Sequence, residues 1–138
     1  MRALVATNVL LDVLAARKPF YSEAVRIWTL AEADQLDAWV AAISFSNCYY
    51  LVRKHAGQRS AEKAIRLLRD VFTPVDLTAR ILSQAIDAGF HDFEDAIQFH
   101  SAVHAKAEYI ITRNPDHFPR APLAVLTPAE FLALKLFD

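Results

Sequence analysis

The sequence predicts a three-layer α/β/α sandwich built around a central, mainly parallel sheet. Short apolar runs alternate with stretches of helical periodicity along the chain, the pattern expected when crossover helices cover a parallel sheet. Helix caps and breakers such as Gly89 and Thr127-Pro128 fall between those stretches. With 138 residues, 54% of them apolar and 22% charged, the chain is long enough to bury one core and is unlike either a disordered or a membrane protein. It reads as one domain over residues 1–138, with no repeat, linker or low-complexity segment.

The elements follow in order. Arg2 to Val5 is a short apolar strand, and Thr7-Asn8 feeds a helix through Leu10, Leu11 and Leu14. From Phe20 to Ala33, Ala24, Ile27, Trp28 and Ala31 recur at helical spacing. Asp34 to Asp37 breaks the pattern before the strand Trp39 to Ala42. Ile43 or Ser44 opens a third helix reaching Lys54, Gly57 punctuates it, and Ser60 to Asp70 makes a fourth with Ile65 and Leu68 inward. Val71 to Val75 is a brief strand, and Thr78 to Ala88 is a helix closed by Gly89. Asp92 then starts a helix through Val103, Tyr109 to Ile111 is a strand, and Leu123 to Val125 is the last strand. Thr127-Pro128-Ala129-Glu130 is a capping box that begins the final helix, Pro128 to Leu136.

Composition excludes several function classes. A net charge of -1 gives no bulk attraction to nucleic acid, so RNA could be held only by a local basic patch or by metal ions. Gly57 and Gly89 are the only glycines, which argues against a glycine-rich phosphate cradle. The single cysteine, Cys48, rules out an internal disulfide or a cysteine-based zinc cluster, in keeping with a reducing compartment, and reads as core. No apolar run is long enough to span a membrane and the N-terminus lacks a signal-peptide layout, so the expected location is the cytoplasm.

Polar residues collect where such an architecture puts its ligands, beyond the carboxyl ends of strands. Thr7 and Asn8 follow the first strand, Asp92, Glu94 and Asp95 open a helix, and Thr112, Asn114 and Asp116 follow a late strand. Asp92 and Asp95 project about 60° apart on a helix, so their carboxylates could face one hard divalent cation. The ordinary alternative is that Asp92 is an N-cap and that Glu94 and Asp95 favour the positive end of the helix dipole. His100 and His104 have the spacing of a metal pair but face away from Asp95, as surface or packing residues would. Arg53, Lys54, Arg59, Lys63, Arg66 and Arg69 could guide phosphates, although a Glu62–Arg66 pair would make part of this an ordinary solvated face. Arg113 lies nearer the cluster. Trp28, Trp39, Tyr49 and Tyr50 fall at core spacings.

The run Asp92-Phe93-Glu94-Asp95-Ala96, followed by Tyr109-Ile110-Ile111-Thr112-Arg113-Asn114, resembles the second half of a PIN domain of the VapC toxin type. Leu4-Val5-Ala6-Thr7-Asn8-Val9-Leu10-Leu11-Asp12 is similar to that family's opening strand and helix, and Thr127 to Leu132 to its close. The resemblance implies a metal-dependent endoribonuclease of a toxin–antitoxin system that hydrolyses RNA with Mg2+ or Mn2+. It also implies a small antitoxin partner and a homodimer. Asp95 matches the acid that opens the late helix, Asn114 stands where many members have the last aspartate, and Asp92 and Asp116 are auxiliary ligands, so the implied metal set is Asp95, Asp92 and Asp116. Asn47 falls where the broader family has glutamate, although one branch that also reads Thr-Arg-Asn carries asparagine.

Ala6 departs most, because the family has its first metal-binding aspartate there. Two readings of it stand: an engineered aspartate-to-alanine change that tames a toxic nuclease, or a natural degenerate member retained for binding. Either way the resemblance implies that the chain is inactive or weakly active. The alternative function is a non-catalytic PIN-like module that binds RNA or protein.

Overall fold

A computed structural model describes residues 1–120 and 122–136. Its five strands form one sheet in which every pairing is parallel. They are β1 (Arg2–Val5), β2 (Asp37–Ala41), β3 (Thr73–Val75), β4 (Tyr109–Ile111) and β5 (Ala124–Leu126), in the order β3-β2-β1-β4-β5. β1 is central, with Leu4 opposite Trp39 of β2 on one side and Ile110 of β4 on the other. Going out from β1, the chain first winds towards β3 and later towards β5, so the winding reverses between β1 and β4. A crevice opens at the carboxyl ends of two strands at such a switch point.

The helices are α1 (Thr7–Leu14), α2 (Tyr21–Glu32), α3 (Ala42–Ala56), α4 (Gln58–Val71), α5 (Ala79–Asp87), α6 (Phe93–His104) and α7 (Pro128–Ala133). Alternation along the strands sorts the core into two layers. Ala3, Val5, Ala38, Val40 and Ile111 face one side, where they pack with Val9, Leu10, Ile27, Trp28, Cys48, Leu68 and Phe131. Leu4 and Ile110 face the other, against Ile81, Ala85, Ala96, Ile97 and Ala102 of α5 and α6. This is the expected α/β/α sandwich. Each fully buried Leu or Ile contributes about 1.5–3 kcal/mol relative to exposure, and these side chains fix the height of α1 and α6 against the sheet. Cys48 lies fully buried on α3, its thiol pushed up to about 12 by burial, with the charge of Glu94 adding and that of Arg17 opposing.

Several boundaries differ from the sequence expectation. β2 starts at Asp37, whose carboxylate accepts from Trp39 Nε1 and pairs with Arg2, and the chain passes straight from Ala41 into α3. α4 begins at Gln58, two residues before Ser60, because Gly57 takes a positive φ of 90° and turns the chain immediately. Val71 ends α4 rather than opening β3. β5 lies one residue later than expected, a 3-10 turn spans Pro115–His117, and α7 stops at Ala133 instead of Leu136. The Thr127–Glu130 capping box is present with both of its hydrogen bonds.

Candidate active site

β1 ends at Val5, and the buried Ala6 joins it to α1. The Ala6 N–H donates to the Ile111 carbonyl of β4 (2.9 Å), and its own carbonyl receives Val9 and Leu10, so residue 6 is held between the ends of the two strands. Its methyl group offers α1 no side-chain cap. Beside it, the Thr7 N–H donates to Gln98 Oε1 of α6 (2.9 Å), and Thr7 Oγ1 shares a hydrogen bond with Ser44 of α3 (2.8 Å). One turn of chain thus ties α1, α3 and α6 together. Asn8 does the same for β4: its Nδ2 donates to Thr112 Oγ1 (3.2 Å) and its Oδ1 accepts the Arg113 N–H (3.2 Å).

These ties frame a cavity of about 320 Å³ lined by Thr7, Asn8, Asn47, Tyr50, Asp92, Glu94, Asp95 and Gln98, with Leu11 and Leu51 as its apolar wall. Asp92 caps α6, its Oδ1 accepting the Asp95 N–H at 3.0 Å. That capping role places the Asp95 carboxylate at the cavity wall one turn along. Burial, first, and the charge of Asp92, second, raise the Asp95 pKa above the ordinary aspartate value. His117, whose Nδ1 stands 3.3 Å from Asp95 Oδ2, opposes them, and Glu94 adds a smaller raising effect. Asn47 Nδ2 is buried without an acceptor. The lining therefore carries three carboxylates and no lysine, arginine or histidine.

Of the residues singled out from sequence, Asn47, Asp92 and Asp95 line this cavity, and Ala6 abuts it through Thr7. Asn114 and Asp116 do not. Asn114 is exposed beyond the end of β4, where its N–H donates to Thr112 Oγ1, and Asp116 is 93% exposed and paired with Arg120 at 2.8 Å. The 3-10 turn that follows Asn114 carries Asp116 outward. Arg113 is close but committed: its Nε lies 2.7 Å from the buried Asp12, which also pairs with Arg17, and its guanidinium covers Phe20 at 4.1 Å. Glu62 accepts from Gln58 rather than pairing with Arg66. Tyr50 corrects its reading as core, being 63% exposed.

Gln98 and Ser44 are the contributors that sequence reasoning left out of the site, while Glu94, named in the polar cluster but not in the metal set, lines the cavity. Gln98 had a signal: it is a lone amide between Ile97 and Phe99 on the buried side of α6, one turn beyond Asp95. The divalent ion implied by the resemblance needs several oxygens around one point. Among the described residues, no three His, Cys, Asp or Glu side chains converge closely enough to hold a metal. The donors present do not fit such an ion by themselves.

A PIN domain model matches residues 2–116, the stretch that contains every element building this cavity. The chain belongs to the PIN domain family. No curated protein matches the sequence closely enough to count as a relative. Among solved structures, a toxin–antitoxin complex from Klebsiella pneumoniae is similar at 23% identity, covering 91% of this chain and 97% of that one, with a TM-score of 0.68. VapC20 of Mycobacterium tuberculosis, a toxin that cleaves the sarcin–ricin loop, is similar at 21% identity over 78% and 86% of the two chains, TM-score 0.64. VapBC-1 from nontypeable Haemophilus influenzae shares 14% identity over 94% and 99%, TM-score 0.68. At these identities the likeness is one of fold, and this PIN domain has the same layered arrangement.

Proposed function

We propose that this PIN domain is the toxin of a toxin–antitoxin pair, an endoribonuclease that hydrolyses RNA with Mg2+ or Mn2+ and is impaired by Ala6. One observation carries the reading: three carboxylates, Asp92, Glu94 and Asp95, line a cavity at the sheet's switch point with no cation among the lining residues. Such an excess of negative charge attracts hard cations, and it would otherwise repel an RNA phosphate. The family is one of nucleases, and the similar structures include VapC toxins, which supports the same reading. Residue 6 sits between the ends of β1 and β4, next to that cavity, where a carboxylate would supply the charge that the present donors lack.

Partners follow the same reasoning. The Klebsiella and Haemophilus proteins were solved as toxin–antitoxin assemblies, so a small antitoxin is proposed as this chain's partner; a homodimer acting in the cytoplasm is proposed from the family resemblance alone. No helix among the described residues is long and apolar enough to cross a membrane. The second reading is a binding module without catalysis, favoured by the absence of a converging metal set among the described residues.

The deciding experiment compares the chain, Ala6→Asp, and Ala6→Asp with Asp95→Asn on single-stranded RNA, with Mg2+ or Mn2+ and then with a chelator. Ala6→Asp should raise cleavage by at least about 10- to 100-fold, since even outer partners of a metal are worth that much. The added Asp95→Asn and the chelator should each abolish the gain. A folded Ala6→Asp protein that cuts nothing, or one that still cuts in chelator, leaves the binding-module reading in place.

A further inference from the structure

Tyr50 stands out as a large aromatic ring left 63% exposed at the wall of an acidic cavity. It belongs to a stripe on α3. Asn47, Tyr50, Leu51 and Lys54 project within about 60° of the Asn47 direction, and Lys54 lies roughly 10 Å along the axis from Asn47. Asn47 stands at the site end with its amide nitrogen buried and unpaired, and Lys54 is exposed at the other. No ion pair occupies Lys54 among the described residues, unlike Arg113, Arg17 and Arg120, which are each held by an aspartate. The stripe therefore presents an exposed aromatic ring and then a free cation, leading away from the carboxylates.

That order suits one ligand chemistry. A single strand of RNA offers unstacked bases for an aromatic face and phosphates for an ammonium. A duplex already stacks its bases internally and gains nothing from the ring. A net charge of -1 makes such a local feature necessary, because nothing in the bulk charge draws RNA in. Resting on the ribonuclease reading, we propose that Tyr50 is the stacking platform for a base next to the phosphate at the acidic cavity, with Lys54 holding the following phosphate. Tyr50 thereby selects single-stranded over duplex RNA.

The test measures binding of a short mixed-sequence single-stranded RNA and of its duplex to the unaltered chain, Tyr50→Ala, Tyr50→Phe, Tyr50→Trp and Lys54→Gln, at several salt concentrations. The same substitutions are placed on Ala6→Asp to read KM and kcat. Tyr50→Ala should weaken single-strand binding about 10- to 100-fold and raise KM with kcat kept, with its salt slope unchanged. Phe and Trp should rescue binding, and duplex affinity should not respond. Lys54→Gln should weaken binding with a salt slope reduced by about 1. Tyr50→Ala that binds and cleaves like its parent overturns the stacking role while the ribonuclease reading stands. If the unaltered chain binds no RNA and Ala6→Asp cleaves none, both fall. Melting temperatures check that each variant is folded.

Discussion

Single residues here owe their roles to whether tertiary structure covers them, which periodicity reports only in part. Helical spacing placed Trp28 and Tyr50 alike on apolar stripes, yet Trp28 is buried against Phe72 and Tyr50 is open, because α2 packs beneath the sheet while that part of α3 borders the cavity. Asp12, on α1, is fully buried and depends on Arg17 and Arg113. Arg113 is distant in sequence, so that pairing had no local signal. His100 was read as surface or packing, and it packs: its ring meets Phe90 and Phe99, and its Nε2 is buried without a partner. Burial, then the charge of His104, lowers its pKa below the ordinary 6.5. The unfolded chain therefore takes up the proton more readily than the folded one. Stability from this group is complete above pH 6.5 and is lost as the pH falls from there through the folded value. Between pH 7 and pH 5, His100→Phe should lose less melting temperature than the unaltered chain. Parallel loss in the two proteins would remove His100 as the source.

At the scale of elements, legibility followed the locality of the signal. β1, β4 and the start of α6 agree with the sequence expectation, since a short apolar run or an Asp cap is decided within a few residues. The start of α4 and the end of α7 do not, since Gly57 turns the chain at once and Leu134 and Leu136, beyond Ala133, are exposed. The cap reading and the site reading of Asp92 were posed as alternatives, yet its one carboxylate serves the cap and also lines the cavity. Substitution separates the two. Asp92→Ala should cost about 1 kcal/mol of stability through the lost cap, whereas Asp92→Ser should keep most of it. Placed on Ala6→Asp, Asp92→Ser should still reduce RNA cleavage, because the hydroxyl restores the cap but not the charge. Denaturant unfolding and a cleavage assay read the two effects, and undiminished cleavage would leave Asp92 with the cap alone.

For the whole molecule, alternating strands and helices were enough to predict the layers, whereas the switch point depends on strand order, which no local pattern encodes. The reversal between β1 and β4 is what brings residue 6, the α6 cap and Asn47 to one place. Asn114 and Asp116 were expected there too, but the 3-10 turn after β4 leads away from it. On the proposed ribonuclease reading, the same convergence would make residue 6 a point where global stability senses cations. An aspartate there would occupy the uncapped N-terminus of α1, worth about 1 kcal/mol, but it would be nearly fully buried, at a position 1% exposed beside three carboxylates. Burying an uncompensated charge costs several kcal/mol, more than the cap returns, so metal-free Ala6→Asp should melt below the unaltered chain. A bound divalent ion reverses the balance: it stabilises only the folded state, by about 2.7 kcal/mol at a hundred times its dissociation constant. That corresponds to a rise on the order of 10 °C in melting temperature. Titrating Mg2+ or Mn2+ should therefore raise the melting temperature of Ala6→Asp with a saturating profile and leave the unaltered chain almost unmoved. Equal shifts in the two proteins would mean that the ions act at some other surface and that residue 6 is no part of their site.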